Sequence, residues 1–379
     1  MAANAIAGDF SVCYRDHRFY ESDSLTQRFA ANLVAALAGM INWRSKGLPP
    51  SMPVSKATSI SNSNIAFIKY WGNRNHNLRL PVTGSLSMNL GGLHTRTTVA
   101  FDSGLSADVV VLDNAAQSPE AARRVSEHLD RVRQLANITT RARVDSQNNF
   151  PAGTGIASSA SGFAALTVAA CAAAGLRLSE RELSILARQG SGSASRSIPS
   201  GFVEWQAGTN ADGSDSYAFS IAAPDHWALV DCIAIVSHAH KKVGSTGGHA
   251  LAHTSPLQQT RIDDTPRRLD ACREALLVRD FARFAEVVEE DSTMMHAIMM
   301  TSRPPLYYWL PPTLAIMDSV RKWRADGLPA CFTIDAGPNV HVITPASHAA
   351  DVATRLRAIP GVQNVLTATP GGGAALINE

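Results

Sequence analysis

The segment Phe150-Pro-Ala-Gly-Thr-Gly-Ile-Ala-Ser-Ser-Ala-Ser-Gly162 places glycines and hydroxyls directly ahead of a small-residue helix. Glycines let a backbone approach a ligand closely, and a helix N-terminus offers free amides and a positive dipole end, so the segment is suited to cradling a phosphate. No Gly-Lys-Ser/Thr follows, which excludes a Walker A loop. The competing reading is a flexible turn packed on an alanine-rich helix. A second hydroxyl-rich loop, Gln189-Gly-Ser-Gly-Ser-Ala-Ser-Arg-Ser197, sets one guanidinium among serines and glycines. Arginine's planar fork fits a carboxylate or phosphate with two parallel bonds, although a lone Arg196 also suits a structural ion pair.

Thr333-Ile-Asp335-Ala-Gly-Pro-Asn339 leaves a carboxylate where an apolar strand turns. Asp335 there either starts the turn through its own backbone bonds or serves as a buried base or charge stabiliser. In Asn64-Ile-Ala-Phe-Ile-Lys-Tyr-Trp-Gly72 an apolar strand carries Lys69 into an aromatic setting. Buried, Lys69 needs an anionic partner; at a strand edge it would snorkel to solvent.

The elements that must position these groups read as mixed α and β. Thr97–Phe101 and Asp108–Leu112 are β-branched runs, residues 118–136 a charged helix, and residues 158–174 a helix stopped by Gly175. Ser179-Glu-Arg-Glu182 is a capping box for a helix that ends near Gly190. An apolar strand at 228–237 opens the second half. A long helical stretch follows over 266–301, then helix 312–325, strands 330–334 and 340–344, helix 347–358 and strand 362–367. Strands and helices alternate without a regular βαβ repeat, which predicts α+β. Residues 1–51 differ: a polar and aromatic start, one amphipathic helix through Leu25, Phe29, Leu33, Leu37 and Ile41, then a Gly47-Leu-Pro-Pro50 break. They read as an appended segment, possessing too many acids for a transit peptide. A chain beginning at Met52 is expected to fold and stay active, which expression and assay of that shorter chain would check.

Bulk properties narrow the function further. With 45% hydrophobic residues and 34 Lys+Arg against 32 Asp+Glu, the chain is an ordinary globular one with a charge of only +2. It has no global field for nucleic acid or an anionic membrane, so any anion is bound locally. Five scattered cysteines fit neither a disulfide framework nor a zinc site and read as buried thiols of a reducing compartment. No run reaches the roughly 18–20 apolar residues of a membrane span, and residues 2–8 lack the features of a signal peptide. A cytoplasmic location is expected.

The four segments occur together with Gly201-Phe-Val-Glu-Trp205, in one order from about residue 57 to 345. In this the chain resembles the diphosphomevalonate and phosphomevalonate decarboxylases of the GHMP kinase superfamily. The resemblance implies a two-lobed fold with the active site in the cleft between lobes, divided as 52–226 and 227–379 after the 1–51 extension. It implies ATP and Mg²⁺, the metal held through ATP phosphates, and a homodimer. It makes the chain an ATP-dependent carboxy-lyase of isoprenoid biosynthesis by the mevalonate route, with Asp335 beside the substrate's 3-hydroxyl, Arg196 on its carboxylate and Lys69 supporting both. Gly153, Gly155, Ala157, Ser158 and Ser159 are assigned to ATP phosphates. Asn64, Tyr70, Asn73 and Arg74 are assigned to the substrate, as are Ser191, Ser193, Thr246 and an arginine of the preceding helix best matched by Arg124.

At one place the chain departs from the pattern of the resemblance. Diphosphate enzymes continue Lys-Tyr-Trp-Gly with a lysine, whereas this chain has Asn73. One cation fewer suits one phosphate fewer, so the expected substrate is mevalonate 5-phosphate, giving isopentenyl phosphate. The alternative is the 5-diphosphate, with Arg74 supplying the missing charge and isopentenyl diphosphate as product. Two further readings are a kinase that stops at phosphorylation and an inactive ligand sensor. The joint presence of Lys69, Arg196 and Asp335 argues against both.

Overall fold

The computed structural model describes residues 56–150, 158–239 and 243–377. The extension 1–51, Met52 and the loop residues Gly153, Gly155 and Ala157 lie outside the described residues.

Strand β1 (Lys56–Ile68) runs antiparallel to the long strand β2 (Ser85–Phe101), from Lys56 opposite Ala100 to Ile68 opposite Leu86. β2 is the hub of the fold. It also pairs with β4 (Ala142–Asn148), beyond which β3 (Val109–Leu112) lies parallel, and with β5 (Phe202–Trp205), which carries β6 (Ala218–Ala222). The second half joins the same sheet: β7 (Leu229–Ile235) lies between β9 (Val340–Pro345) and β10 (Asn364–Pro370), β8 (Cys331–Thr333) flanks β9, and β10 reaches β2 through Thr369 opposite Gly91. Finally β11 (Ala375–Ile377) covers the free edge of β1, with Thr58 opposite Ile377. Together with the short segment Ala115–Ala116 these make a twelve-stranded sheet among the described residues.

Helix α1 (Pro119–Ala136), α2 (Ser158–Ala173) and α3 (Glu180–Gly190) enclose one core with the first half of the sheet, around Val99, Leu129, Val144, Leu166 and Leu186. Helix α2 is apolar on every side, and such a helix must be buried. Its alanines let it approach β1 and β2 closely, where Ser59 Oγ donates to the Ala165 carbonyl at 2.6 Å. The predicted capping box starts α3, with Glu182 N donating to Ser179 Oγ and Glu182 Oε2 accepting from Ser179 N. A short helix α4 (Ser245–Leu251) precedes α5 (Gln258–Val278) and α6 (Phe281–Thr301), whose apolar faces meet β1, β2 and β7 around Phe67, Leu86, Ile233, Phe284 and Val288. A third core, around Val230, Ile316, Val320, Phe332, Val342 and Val352, lies under α7 (Pro311–Ala325) and α8 (Ala349–Arg357).

The single helix expected over 266–301 is two helices. Arg279 adopts the left-handed conformation at φ 60°, and Asp280 then caps α6 by accepting from Arg283 N at 3.1 Å. The Asp280 cap is the signal that periodicity overran. Strands β4, β5, β6 and β11 were not expected from the sequence.

Among the described residues no helix is long and apolar enough to cross a membrane. Cys171, Cys232, Cys272 and Cys331 are free and buried, as the sequence suggested, and burial pushes the Cys171 and Cys232 thiols up to about 12.

Candidate active site

The geometry begins where β1 ends. After Ile68 the backbone of Lys69 has no strand partner, yet it is buried, so its polar groups require side-chain partners. Asp291 on α6 accepts from Lys69 N at 2.6 Å, and Arg261 on α5 donates to the Lys69 carbonyl at 2.7 Å. Asp291 also accepts from Arg268 Nε at 2.9 Å, and all three side chains are fully buried. This anchoring aims the Lys69 side chain at Asp335, which lies just past β8; Nζ and Oδ1 are 2.6 Å apart. Lys69 is 1% exposed and Asp335 26%. The snorkelling reading of Lys69 is thereby excluded, and Asp335 keeps one edge open to solvent. Burial alone would raise the Asp335 carboxyl, but Lys69, His341 and Arg196 outweigh it and hold the group below its usual range. Burial lowers the Lys69 ammonium, with Asp335 opposing.

Arg196 stands in the short helical turn Gly192–Ser197 and is 4% exposed. Its Nη2 and Nε donate to Asn64 Oδ1 at 3.1 and 3.3 Å, and Nη1 donates to Ser85 Oγ at 3.0 Å. No carboxylate pairs with it among the described residues. Burial pulls its pKa down to about 10, which leaves a cation at neutral pH. A guanidinium kept dry and supported only by neutral oxygens is preorganised for an anionic ligand.

Ser159 on the first turn of α2 lies 3.4 Å, hydroxyl to hydroxyl, from Ser191, and Ser191 lies 3.4 Å from Ser193. A row of hydroxyls thus joins the α2 N-terminus, where Ser158 also sits, to the Arg196 turn. Gly192 is required within it, because a Cβ would fall 2.5 Å from the Tyr70 ring.

The remaining expected ligands fare differently. Asn64 is 1% exposed and fully committed, accepting from Arg196 and donating to Ser197 Oγ and the Ser193 carbonyl, so it orients Arg196 and does not face a ligand. Arg74 is spent elsewhere: its guanidinium donates to the carbonyls of Ala207, Gly208 and Asn210, bracing that loop. These bonds to neutral carbonyls tie Arg74 to the loop without removing its charge. Tyr70 OH donates to Asn73 Oδ1, and burial raises the Tyr70 phenol to about 12. Arg124 donates to the Gly190 carbonyl at 3.1 Å and lies over the Phe163 ring. Thr246, on α4, is exposed, with no side-chain hydrogen bond to this group of residues.

His249 was not among the expected site residues. Its ring lies 4.1 Å from that of Tyr70 and 4.6 Å from that of Trp71, and Nδ1 accepts from Gly72 N at 2.9 Å. Burial lowers its pKa to about 3, so it is neutral, and the Gly72 bond leaves the proton on Nε2. Ser85, Arg261 and Asp291 were missed as well, since each acts across a long sequence separation that spacing does not reveal.

Comparison with known proteins gives the chain its family. Residues 61–218 match the family profile described as diphosphomevalonate decarboxylase-like N-terminal domain, and residues 232–370 that described as mevalonate 5-diphosphate decarboxylase C-terminal domain. The chain is 39% identical over 328 residues to diphosphomevalonate decarboxylase mvd1 of Aspergillus fumigatus, covering 81% of each chain. It superposes with a TM-score of 0.79 and 38% identity on the mevalonate diphosphate decarboxylase of Enterococcus faecalis, over 86% of this chain and 99% of that one. A structure described as MDDEF in complex with MVAPP, AMPPCP and magnesium gives a TM-score of 0.80 at 38% identity, with the same coverage. The α+β, two-lobed kinase-like fold is thereby established. The expected preference for a 5-monophosphate finds no support in these relatives, which are diphosphate decarboxylases. The inference from Asn73 weighed one position alone, whereas the charge around a phosphate is set by every cation that reaches it. Sequence, fold and the Lys69–Asp335–Arg196 cluster converge: the chain belongs to the diphosphomevalonate decarboxylase family, the ATP-dependent carboxy-lyases.

Proposed function

We propose that the protein converts mevalonate 5-diphosphate and ATP into isopentenyl diphosphate, CO₂, ADP and phosphate. The observation that carries this reading is the Lys69–Asp335 ion pair with the buried Arg196, hydrogen-bonded only to neutral oxygens, near enough to act on the same carboxylate. A kinase acting on an alcohol has no use for a second dry cation facing its base. A carboxylate that must leave as CO₂ has such a use.

Asp335, kept ionised by Lys69, accepts the proton of the tertiary 3-hydroxyl and then faces the positive character that develops at C3. Arg196 holds the carboxylate so that its C–C bond lies opposite the departing oxygen; when that bond breaks, its electrons form the alkene and CO₂ leaves. The Ser159, Ser191 and Ser193 hydroxyls and the α2 N-terminus suit a polyphosphate. Mg²⁺ would be held through the ATP phosphates, the usual way such an ion enters a nucleotide site. With both bound, the nucleotide supplies the phosphoryl group that turns the hydroxyl into a leaving group.

The same proposal divides the chain at 226/227, with Lys69, Ser159 and Arg196 from one half facing Asp335 from the other. It also takes the protein as a cytoplasmic homodimer, which light scattering would check. The decisive assay is ATP-dependent CO₂ release from mevalonate, its 5-phosphate and its 5-diphosphate in parallel. The diphosphate is expected to show the highest kcat/KM. Release of ADP without CO₂ would identify a kinase instead.

A further inference from the structure

In the hairpin formed by Asn73–Asn75 and Leu80–Pro81, Asn73 is neutral and bonded to Tyr70, and Arg74 is tied to the carbonyls of a neighbouring loop. The turn of the same hairpin carries a third candidate. Arg79 sits at φ 50°, in the left-handed region that a side chain adopts at a cost, and such strain concentrates at functional sites. Its Nε donates to the Gln189 carbonyl at 3.1 Å, while its two Nη groups have no protein acceptor among the described residues.

Arg79 lines a cavity of about 290 Å³ together with His76, Arg124, Arg131 and Glu127. Three guanidiniums face a single carboxylate there, and Glu127 itself lies 3.8 Å from Arg123. None of the three is within ion-pair distance of a carboxylate among the described residues. Arg124 and Arg131 are both shifted down, by burial and by the charge of Arg79. Like charges gathered in this way are unfavourable unless an anion completes them. The cavity wall includes Gly190, whose neighbour Ser191 belongs to the hydroxyl row of the active site. Arg79 is also near enough to Tyr70 and His249 for both to feel its charge.

We propose that Arg79, backed by Arg124 and Arg131, holds the terminal phosphate of the substrate's 5-diphosphate, so that this turn and not position 73 sets the preference for two phosphates over one. The proposal rests on the diphosphate reading above. A merely structural Arg79 would cap the C-terminal carbonyls of α3, a role cations also fill.

Two measurements separate the roles. Arg79→Gln is expected to lower the ratio of kcat/KM for the 5-diphosphate to that for the 5-phosphate by roughly 10- to 100-fold, as for loss of a charge-assisted bond. It is also expected to weaken binding of inorganic pyrophosphate to the nucleotide-free protein by a similar factor, read by titration calorimetry. Arg79→Lys should recover part of both, and Asn73→Lys added to Arg79→Gln should restore part of the ratio from the neighbouring strand. If Arg79→Gln does not fold, Arg79→Lys and Arg131→Gln read the same ratio. A ratio unchanged within about threefold, with both substrates declining in parallel, would assign Arg79 to helix capping and overturn the proposal. Wild-type protein inert toward the diphosphate would end the functional reading instead, and the pyrophosphate titration would still decide whether the cavity binds such an anion.

Discussion

Replacing Asp335 with Asn is expected to lower kcat by roughly 10²- to 10⁴-fold, the range for a positioned acid–base group, with ATP affinity largely retained. Asparagine keeps the shape but neither takes the hydroxyl proton nor balances charge at C3. Because Lys69 holds the wild-type carboxyl below its ordinary range, the acid limb of kcat/KM due to Asp335 should lie below the usual carboxylate range, leaving activity flat in Asp335 across neutral pH. The linkage has a definite sign. A folded-state pKa depressed below the unfolded value adds stability at pH above the unfolded value, and this is lost as pH falls through the folded one. Asp335→Asn should therefore be less stable than wild type at pH 7 and should converge with it in acid. Near-normal turnover of the variant would remove Asp335 from the mechanism.

The second large effect concerns stability. Asp291→Ala leaves Arg261 fully buried without a carboxylate, Arg268 with Asp264 as its remaining ion-pair partner, and Lys69 N without its acceptor. Stranding buried charge in this way costs about 3–5 kcal/mol, against about 5–15 kcal/mol of total stability for a typical protein. Urea unfolding should show a midpoint displaced accordingly, and turnover of the remaining folded protein should fall because the backbone that aims Lys69 is loosened. A loss below about 1 kcal/mol would mean that water or a neighbour replaces the carboxylate, and that the anchoring described here is dispensable.

What the sequence made legible were groups whose local setting betrays them. Lys69 in an apolar strand, Arg196 among serines and Asp335 at a strand end each violate the polarity of their surroundings, and such violations mark sites that something else must satisfy. The Ser179 capping box was equally plain, being a contact over three residues. The partners were not legible. Ser85 under Arg196, Asp291 under Lys69 and His249 between Tyr70 and Trp71 are ordinary residues in ordinary segments, and only the closing of the sheet brings them to the site. Asn73 shows the converse error. Read locally it removed a phosphate from the substrate, while Arg79, only a few positions along, sat in a turn with no pattern to announce it. Strand β11 escaped because Ala375–Ile377 is too short to show a period.

That last strand has a consequence for how the chain is made. β1 leaves the ribosome early, but the residues that cover the edge of Thr58–Ile60 come from β11, and Leu90 and Gly91 of β2 wait likewise for β10. At roughly 5–20 residues per second, synthesis of the intervening chain takes tens of seconds. During that time these short stretches present unpaired amides and carbonyls, which invites pairing between nascent chains. Folding of the first half should therefore remain incomplete until the C-terminal strands emerge, and yield in a cell should depend on chaperone capacity more than the finished protein's stability would suggest.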